Sequence, residues 1–168
     1  MAKQSAGILL YRNVSAGYEV FIVHPGGPFW AKKDSGAWSI PKGEFVEGEE
    51  PLAAAKREFT EETGQHAPAG AYEPLGQAKQ PSGKIVYIWA IQANMDPAAL
   101  HSNAVELEWP PRSGQRQSFP EVDRAGWFGL AKAKTKLVKG QVVFVERLAE
   151  HLGVAPGESQ EPTQAALF

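Results

Sequence analysis

The 168-residue sequence contains no cysteine, which excludes disulfides, a thiol nucleophile and thiolate metal sites and fits a reducing compartment. Histidine is scarce. His24, His66, His101 and His151 stand far apart with no ligand-like spacing, and they read as ordinary surface or packing residues. No apolar run approaches bilayer-spanning length, and Met1 is not followed by a basic region leading into a long apolar stretch. A surplus of one charge is also missing. The formal net charge of −2 gives no general attraction to DNA, RNA or anionic lipid, so a polyanionic substrate has to be recruited locally or through a metal. These absences point to a cytoplasmic protein with no membrane or nucleic-acid partner. What is present, 43% hydrophobic residues with five tryptophans and eight phenylalanines, is enough to bury a single core.

The runs "AGILLYR" and "YEVFIVH", separated by the turn-forming "NVSAG", predict a β-hairpin whose nearly continuous apolar residues imply a sheet covered on both faces. A loop rich in glycine and proline, "PGGPFWAKKDSG", leads to the short extended piece "AWSI". From Pro51 to about Thr63 the pattern turns helical: Pro51 suits a first helical position, Leu52, Ala55 and Phe59 recur at helical steps, and Gly64 is a stop. "YEPLGQAKQ" and "KIVYIWAI" around "PSG" predict a second hairpin, in which Ile85, Tyr87, Trp89 and Ile91 share a face. Residues 95–118 read as polar and irregular, and "AGWFGL" as a final strand. "QVVFVERLAEHLG" puts Gln141, Val145, Leu148 and Leu152 on one helical stripe, and Lys132, Lys134, Lys136 and Lys139 read as a solvated helical face. One domain over residues 3–153 is expected, followed by a disordered tail at 154–168.

Charge is concentrated in one place. Glu44, Glu47, Glu49, Glu50, Glu58, Glu61 and Glu62 face only Lys56 and Arg57. On a helix, Glu58, Glu61 and Glu62 project from one side and repel one another. Carboxylates in a last helical turn also oppose the macrodipole. Helix stability does not account for them, and a hard divalent cation, which prefers carboxylate oxygens, would. A P-loop is absent, because "SGKIV" lacks the following Ser or Thr, and so is a G-x-S-x-G elbow.

The ordered set Gly43, Glu49, Arg57–Glu58, the apolar Phe59, Glu61–Glu62 and Gly64 resembles the box of the Nudix hydrolases, which cleave nucleoside diphosphates linked to another moiety. The likeness runs from Gly43 to Gln65, and it departs only at Gln65, where the family carries an aliphatic residue that packs beneath the helix end. The resemblance implies an α/β/α sandwich with a mixed β-sheet and hydrolysis dependent on Mg²⁺ or Mn²⁺. It assigns metal binding to Glu58 and Glu62, with Glu61 and the Lys42 backbone carbonyl as further ligands. Arg57 and Glu49 would hold loop against helix, and Gly43 and Gly48 would let the backbone turn. For the base that deprotonates water the family differs among its members. Glu58 is the first choice, and Glu121, which lies in "FPEVDRAGWF" and is a possible extra ligand, is the second.

The preceding "WSIPKG" resembles that of Nudix enzymes acting on diadenosine and diphosphoinositol polyphosphates. The small-molecule substrate expected on that basis is a dinucleoside polyphosphate such as diadenosine tetraphosphate. Lys42 and Lys84 are its candidate phosphate contacts and Tyr87 a face for its base, while Trp38 and Trp89 read as core. Alternatives are oxidised nucleoside triphosphates, diphosphoinositol polyphosphates and, from another class, a nucleotide sensor that kept the fold without turnover. A homodimer fits this fold, though no residue pattern speaks for one.

Overall fold

Aliphatic and aromatic residues fill the first long run of the chain, and they build the centre of the sheet. The computed structural model describes residues 3–154. Strand β1 (Gln4–Val14) pairs in parallel with β5 (Ile85–Gln92) along one side. Its other side is divided. The first half pairs antiparallel with the short β3 (Lys42–Phe45), from Gln4↔Phe45 to Gly7↔Lys42, and the second half with β2 (Gly17–Pro25). Residues 37–41 wedge between them, with the Ile8 amide donating to Pro41 O at 3.1 Å and Val23 and Ser39 exchanging backbone bonds at 2.8 Å. This split delivers the chain to Gly43 at the middle of the fold. The order β4 (Glu73–Lys79)-β5-β1-β2-β8 (Val122–Gly129), with β3 beside β1, is a mixed sheet.

Helix α1 (Pro51–Thr63) covers one face, closing a core of Ala6, Ile8, Leu10, Phe21, Val23, Ala54, Ala55 and Phe59. Helices α2 (Leu130–Lys136) and α3 (Val142–Leu152) cover the other, over Leu9, Val20, Ile22, Leu130, Phe144, Val145 and Leu148. Both faces are therefore buried, as the near-continuous apolar strands require. Ile91, Tyr87 and Trp89 share the α1 side, and Gln141, Val145 and Leu148 are buried. Among the described residues no helix is long and apolar enough to cross a membrane.

Two expectations need correction. Residues 95–118 are not irregular: Pro97–Ala99 forms a 3-10 turn, and β6 (Ala104–Glu108) and β7 (Arg116–Pro120) pair as an antiparallel hairpin outside the main sheet. The lysines of α2 are not uniformly solvated either. Lys134 pairs with Glu146 at 3.3 Å, and Lys136 pairs with Asp34 and lies against the Trp38 and Phe128 rings, so both stems cover apolar surface. The expected tail lies, apart from Val154, outside the described residues.

Candidate active site

Helix α1 is framed at both ends. The Glu50 carboxylate caps it by accepting from the Ala53 amide at 3.0 Å, Pro51 occupies its first turn, and Gly64 closes it in a left-handed conformation. Its frame turns Glu58 and Glu62, one turn apart, inward beneath β3, where they are only 8% and 9% exposed. Gly43 lies directly against them. A Cβ there would fall 1.9 Å from Glu58 Oε1, so any larger residue would drive β3 and the carboxylate apart. The tight turn of the loop falls to Gly48, at φ 98°. The Lys42 amide donates to Glu62 Oε1 at 3.3 Å, which lays the Lys42 backbone on the same carboxylate.

Arg57 ties the loop to the helix. Its guanidinium forks onto Glu49, with Nε–Oε2 at 2.9 Å and Nη2–Oε1 at 3.1 Å, while Nη1 donates to Glu58 Oε2 at 2.7 Å and Glu61 Oε2 at 3.2 Å. The one nitrogen Nη1 thus bridges Glu58 and Glu61, and the Glu61 side chain is 40% exposed. Gln65, the departure from the box pattern, is half-buried and donates to Ala99 O at 3.1 Å, a polar contact at the helix end.

Three carboxylates are held in a costly state. Burial, with the charges of Glu121 and Glu58, raises the Glu62 carboxyl to about 8 against the opposing Lys42 amide and ammonium. Burial also raises Glu58, despite Arg57, and it raises Glu121, to which Glu61 adds repulsion. Burial lowers the Lys42 ammonium, as does the neighbouring Lys84. Lys84 Nζ pairs with Glu44 Oε2 at 3.0 Å, and Tyr87 accepts from Gln4 Nε2 at 3.0 Å with its ring edge-on to Phe45. Tyr87 therefore borders the α1-side core rather than the carboxylates.

Among the described residues no three His, Asp or Glu side chains already stand close enough to cage a metal ion. The donor chemistry nevertheless suits one. Glu58, Glu62 and Glu121 are hard oxygen donors that burial first, and neighbouring negative charge second, hold against ionisation, and a divalent cation would relieve that cost.

Glu121 is brought to this cluster by backbone rather than side chain. The Asn103 amide donates to Glu61 O at 3.0 Å, the Glu121 amide to Asn103 O at 2.7 Å, and the Gly26 amide to Glu121 O at 2.9 Å. The box helix, the stem of the β6–β7 hairpin, the distal acid and the 26–36 loop are thereby linked in sequence. Gly26 was invisible as a functional position, yet a Cβ there would lie 2.0 Å from Pro120 O. His24, fully buried, also carries more than packing: Nδ1 meets Asp123 Oδ1 at 2.9 Å and Nε2 meets Lys33 O at 2.6 Å, which pins the loop to β8. Gln141 accepts from the Ile40 amide at 2.7 Å and donates to Ser39 Oγ at 3.1 Å, fixing the approach to Gly43. Apart from His24 to the Lys33 carbonyl, which is a backbone atom, these contacts join residues far apart in sequence, so no local pattern could signal them.

The NUDIX domain family matches residues 1–148. An 8-oxo-(d)GTP phosphatase of Mycolicibacterium smegmatis is 30% identical over 120 residues, covering 64% of this chain and 34% of that protein, so the chain spans about a third of that relative's length. Among solved structures, the C. elegans Ap4A hydrolase binary complex has a TM-score of 0.59 at 19% identity, covering 90% of this chain and 98% of that one. The NUDIX domain of Shewanella oneidensis NrtR complexed with ADP ribose has a TM-score of 0.62 at 16% identity, covering 90% and 89%. At these identities the two likenesses concern the fold.

Proposed function

This chain belongs to the Nudix family, and from that premise we propose that it hydrolyses a phosphoanhydride bond of a nucleoside polyphosphate, with a dinucleoside polyphosphate such as diadenosine tetraphosphate as the foremost substrate. The observation that carries the reading is the pair Glu58 and Glu62, buried beneath β3 with Gly43 against Glu58 and the charge of Glu121 acting on both, with Lys42 and Lys84 beside it. A bound Mg²⁺ or Mn²⁺ would neutralise phosphate charge and acidify a water molecule. Glu58 and Glu62, with Glu61 and the Lys42 carbonyl as further ligands, would hold it. Lys42 and Lys84 offset the remaining negative charge of the phosphate chain.

The water oxygen bonds to phosphorus, the bridging P–O bond breaks, and the water's proton passes to a carboxylate. Glu58, the first choice from sequence, has Oε2 committed to Arg57. Among the described residues no ion pair or side-chain hydrogen bond engages the Glu121 carboxylate, and burial together with the charge of Glu61 raises its affinity for protons, the direction a base requires. We therefore assign the proton to Glu121. A second substrate reading is an oxidised nucleoside triphosphate, with release of pyrophosphate; its substrate, though not its product, is favoured by the 30% identity to an 8-oxo-(d)GTP phosphatase.

The test is product release from a panel of dinucleoside polyphosphates, oxidised nucleotides, nucleotide sugars and inositol pyrophosphates, with and without Mg²⁺, for wild type, Glu58→Gln and Glu62→Gln. Metal-dependent release that both variants lose supports the reading. A panel without any metal-dependent release would make the protein a nucleotide binder.

A further inference from the structure

We propose that the face of the β6–β7 hairpin and the 26–36 loop together form the subsite for the nucleobase, with Phe29 as its stacking platform. This rests on the nucleotide hydrolase reading above. Strand alternation makes the hairpin amphipathic. Val105, Leu107 and Trp109 alternate with Glu106 and Glu108, and Phe119 lies opposite Val105. That apolar face belongs to neither core. Val105 and Leu107 are 37% and 40% exposed, and Phe29 is 61% exposed. Among the described residues these are three of the four exposed large hydrophobics, the fourth being Val46.

The two segments meet. A Cβ on Gly27 would lie 3.5 Å from Leu107 Cδ1, so the hairpin face leans on the loop that carries Phe29 two residues later. They also meet at the acids, because Gly26 and Asn103 bind the two sides of the Glu121 backbone and Asn103 binds Glu61. The loop is pinned a second time where Lys33 O meets His24, so the platform is held in place before a ligand arrives. Lys33 Nζ covers Phe29 at 4.3 Å from the ring centroid, and Trp30 packs edge-on to it at 5.1 Å. A nucleotide joins a flat neutral base to an anionic phosphate. The patch offers an aromatic ring that is 61% exposed although an ammonium group lies over it, with the carboxylates next along the backbone ladder.

The experiment compares wild type with Phe29→Ala, Phe29→Trp and Leu107→Ser in two measurements. The first is the ratio of kcat/KM for diadenosine tetraphosphate to kcat/KM for inorganic tripolyphosphate, which has no base. The second is metal-free affinity for adenosine 5′-monophosphate, followed by tryptophan fluorescence. Phe29→Ala should lower the ratio about tenfold, through KM rather than kcat, and weaken the monophosphate by a similar factor, as expected for a lost base–aromatic stack. Phe29→Trp should restore both, and Leu107→Ser should lose about threefold. An unchanged ratio with unchanged monophosphate affinity would overturn the subsite. So would sedimentation showing that Phe29→Ala and Leu107→Ser dissociate a dimer, which would make the patch a contact between copies. If no phosphoanhydride is cleaved but Phe29→Ala still weakens the monophosphate, the hydrolase reading fails and the subsite stands.

Discussion

The box and the hairpin handle charge in opposite ways. Between Gly43 and Gly64 two carboxylates, Glu58 and Glu62, are pressed into the protein, and Arg57 alone serves Glu49, Glu58 and Glu61. On the hairpin, Glu106 and Arg116 face each other at 3.3 Å with about two-thirds of each side chain in water. The box stores the cost of burying charge, with repulsion between carboxylates added to it, which a cation can release, whereas the hairpin stores none. What the hairpin leaves unsatisfied is apolar: Val105 and Leu107 lie outside both cores. Two kinds of unspent interaction, one for charge and one for aromatic surface, therefore border Glu121 from different sides.

The sharpest way to break this contrast is to remove buried charge. Glu62→Gln should cut metal-dependent turnover about 10³-fold, yet raise the thermal midpoint of the metal-free protein at pH 8, because the amide carries no charge to repel Glu58 and Glu121. Lower activity with lower metal-free stability would mean that Glu62 is a supporting residue and not a stored repulsion. A pH series makes the same point without mutation. A carboxyl whose folded pKa is raised binds its proton in the folded state while the unfolded chain has already lost it. Its effect is absent below the unfolded value, near 4.5, and grows as destabilisation until the pH passes about 8. Metal-free unfolding by denaturant should therefore show stability falling across that window, by on the order of a few kcal/mol. Added Mg²⁺ should recover more of it at pH 8 than at pH 5. A flat profile would show that the carboxylates are relieved by water alone.

Gly43→Ala comes next. A methyl group 1.9 Å from Glu58 Oε1 must displace the carboxylate or β3, and a displacement of about 1 Å at a reacting centre costs about 10²-fold in rate. Activity within threefold of wild type would mean that the close approach of Gly43 is incidental.

The box was legible in the sequence because its requirements are local: Pro51 and Gly64 frame a helix, glutamates recur at helical steps, and Arg57 reaches Glu49 within one loop. The mixed sandwich came from the resemblance that the box carries, while the near-continuous apolar runs of β1 and β2 marked a sheet covered on both faces and the stripe of α3 a packed helix. The hairpin was not. Its strands have five residues each, the apolar side chains of "VELEW" alternate with glutamates, and the prolines of "WPPRSG" read as a break. The alternation itself was the available signal. Gly26, His24 and Asn103 act on partners distant in the chain or through backbone atoms, which composition and spacing do not encode.

The smallest expected effects come from applying one change to both regions. Arg57→Ala leaves Glu58, whose side chain is 11% exposed, without its cation, and it releases the loop at Glu49. Because Arg57 is itself 39% exposed, solvent screens part of the loss, and about 1–2 kcal/mol is expected. Arg116→Ala breaks an ion pair that water already screens, and about 0.5 kcal/mol or less is expected. The two variants remove the same guanidinium, so the difference between their urea midpoints isolates what burial does to charge. Raising the salt concentration should shrink the Arg116 effect towards zero while leaving most of the Arg57 effect, because screening reaches exposed pairs first. Equal losses at both positions, with equal salt dependence, would mean that the box holds its charges no more tightly than an ordinary surface does.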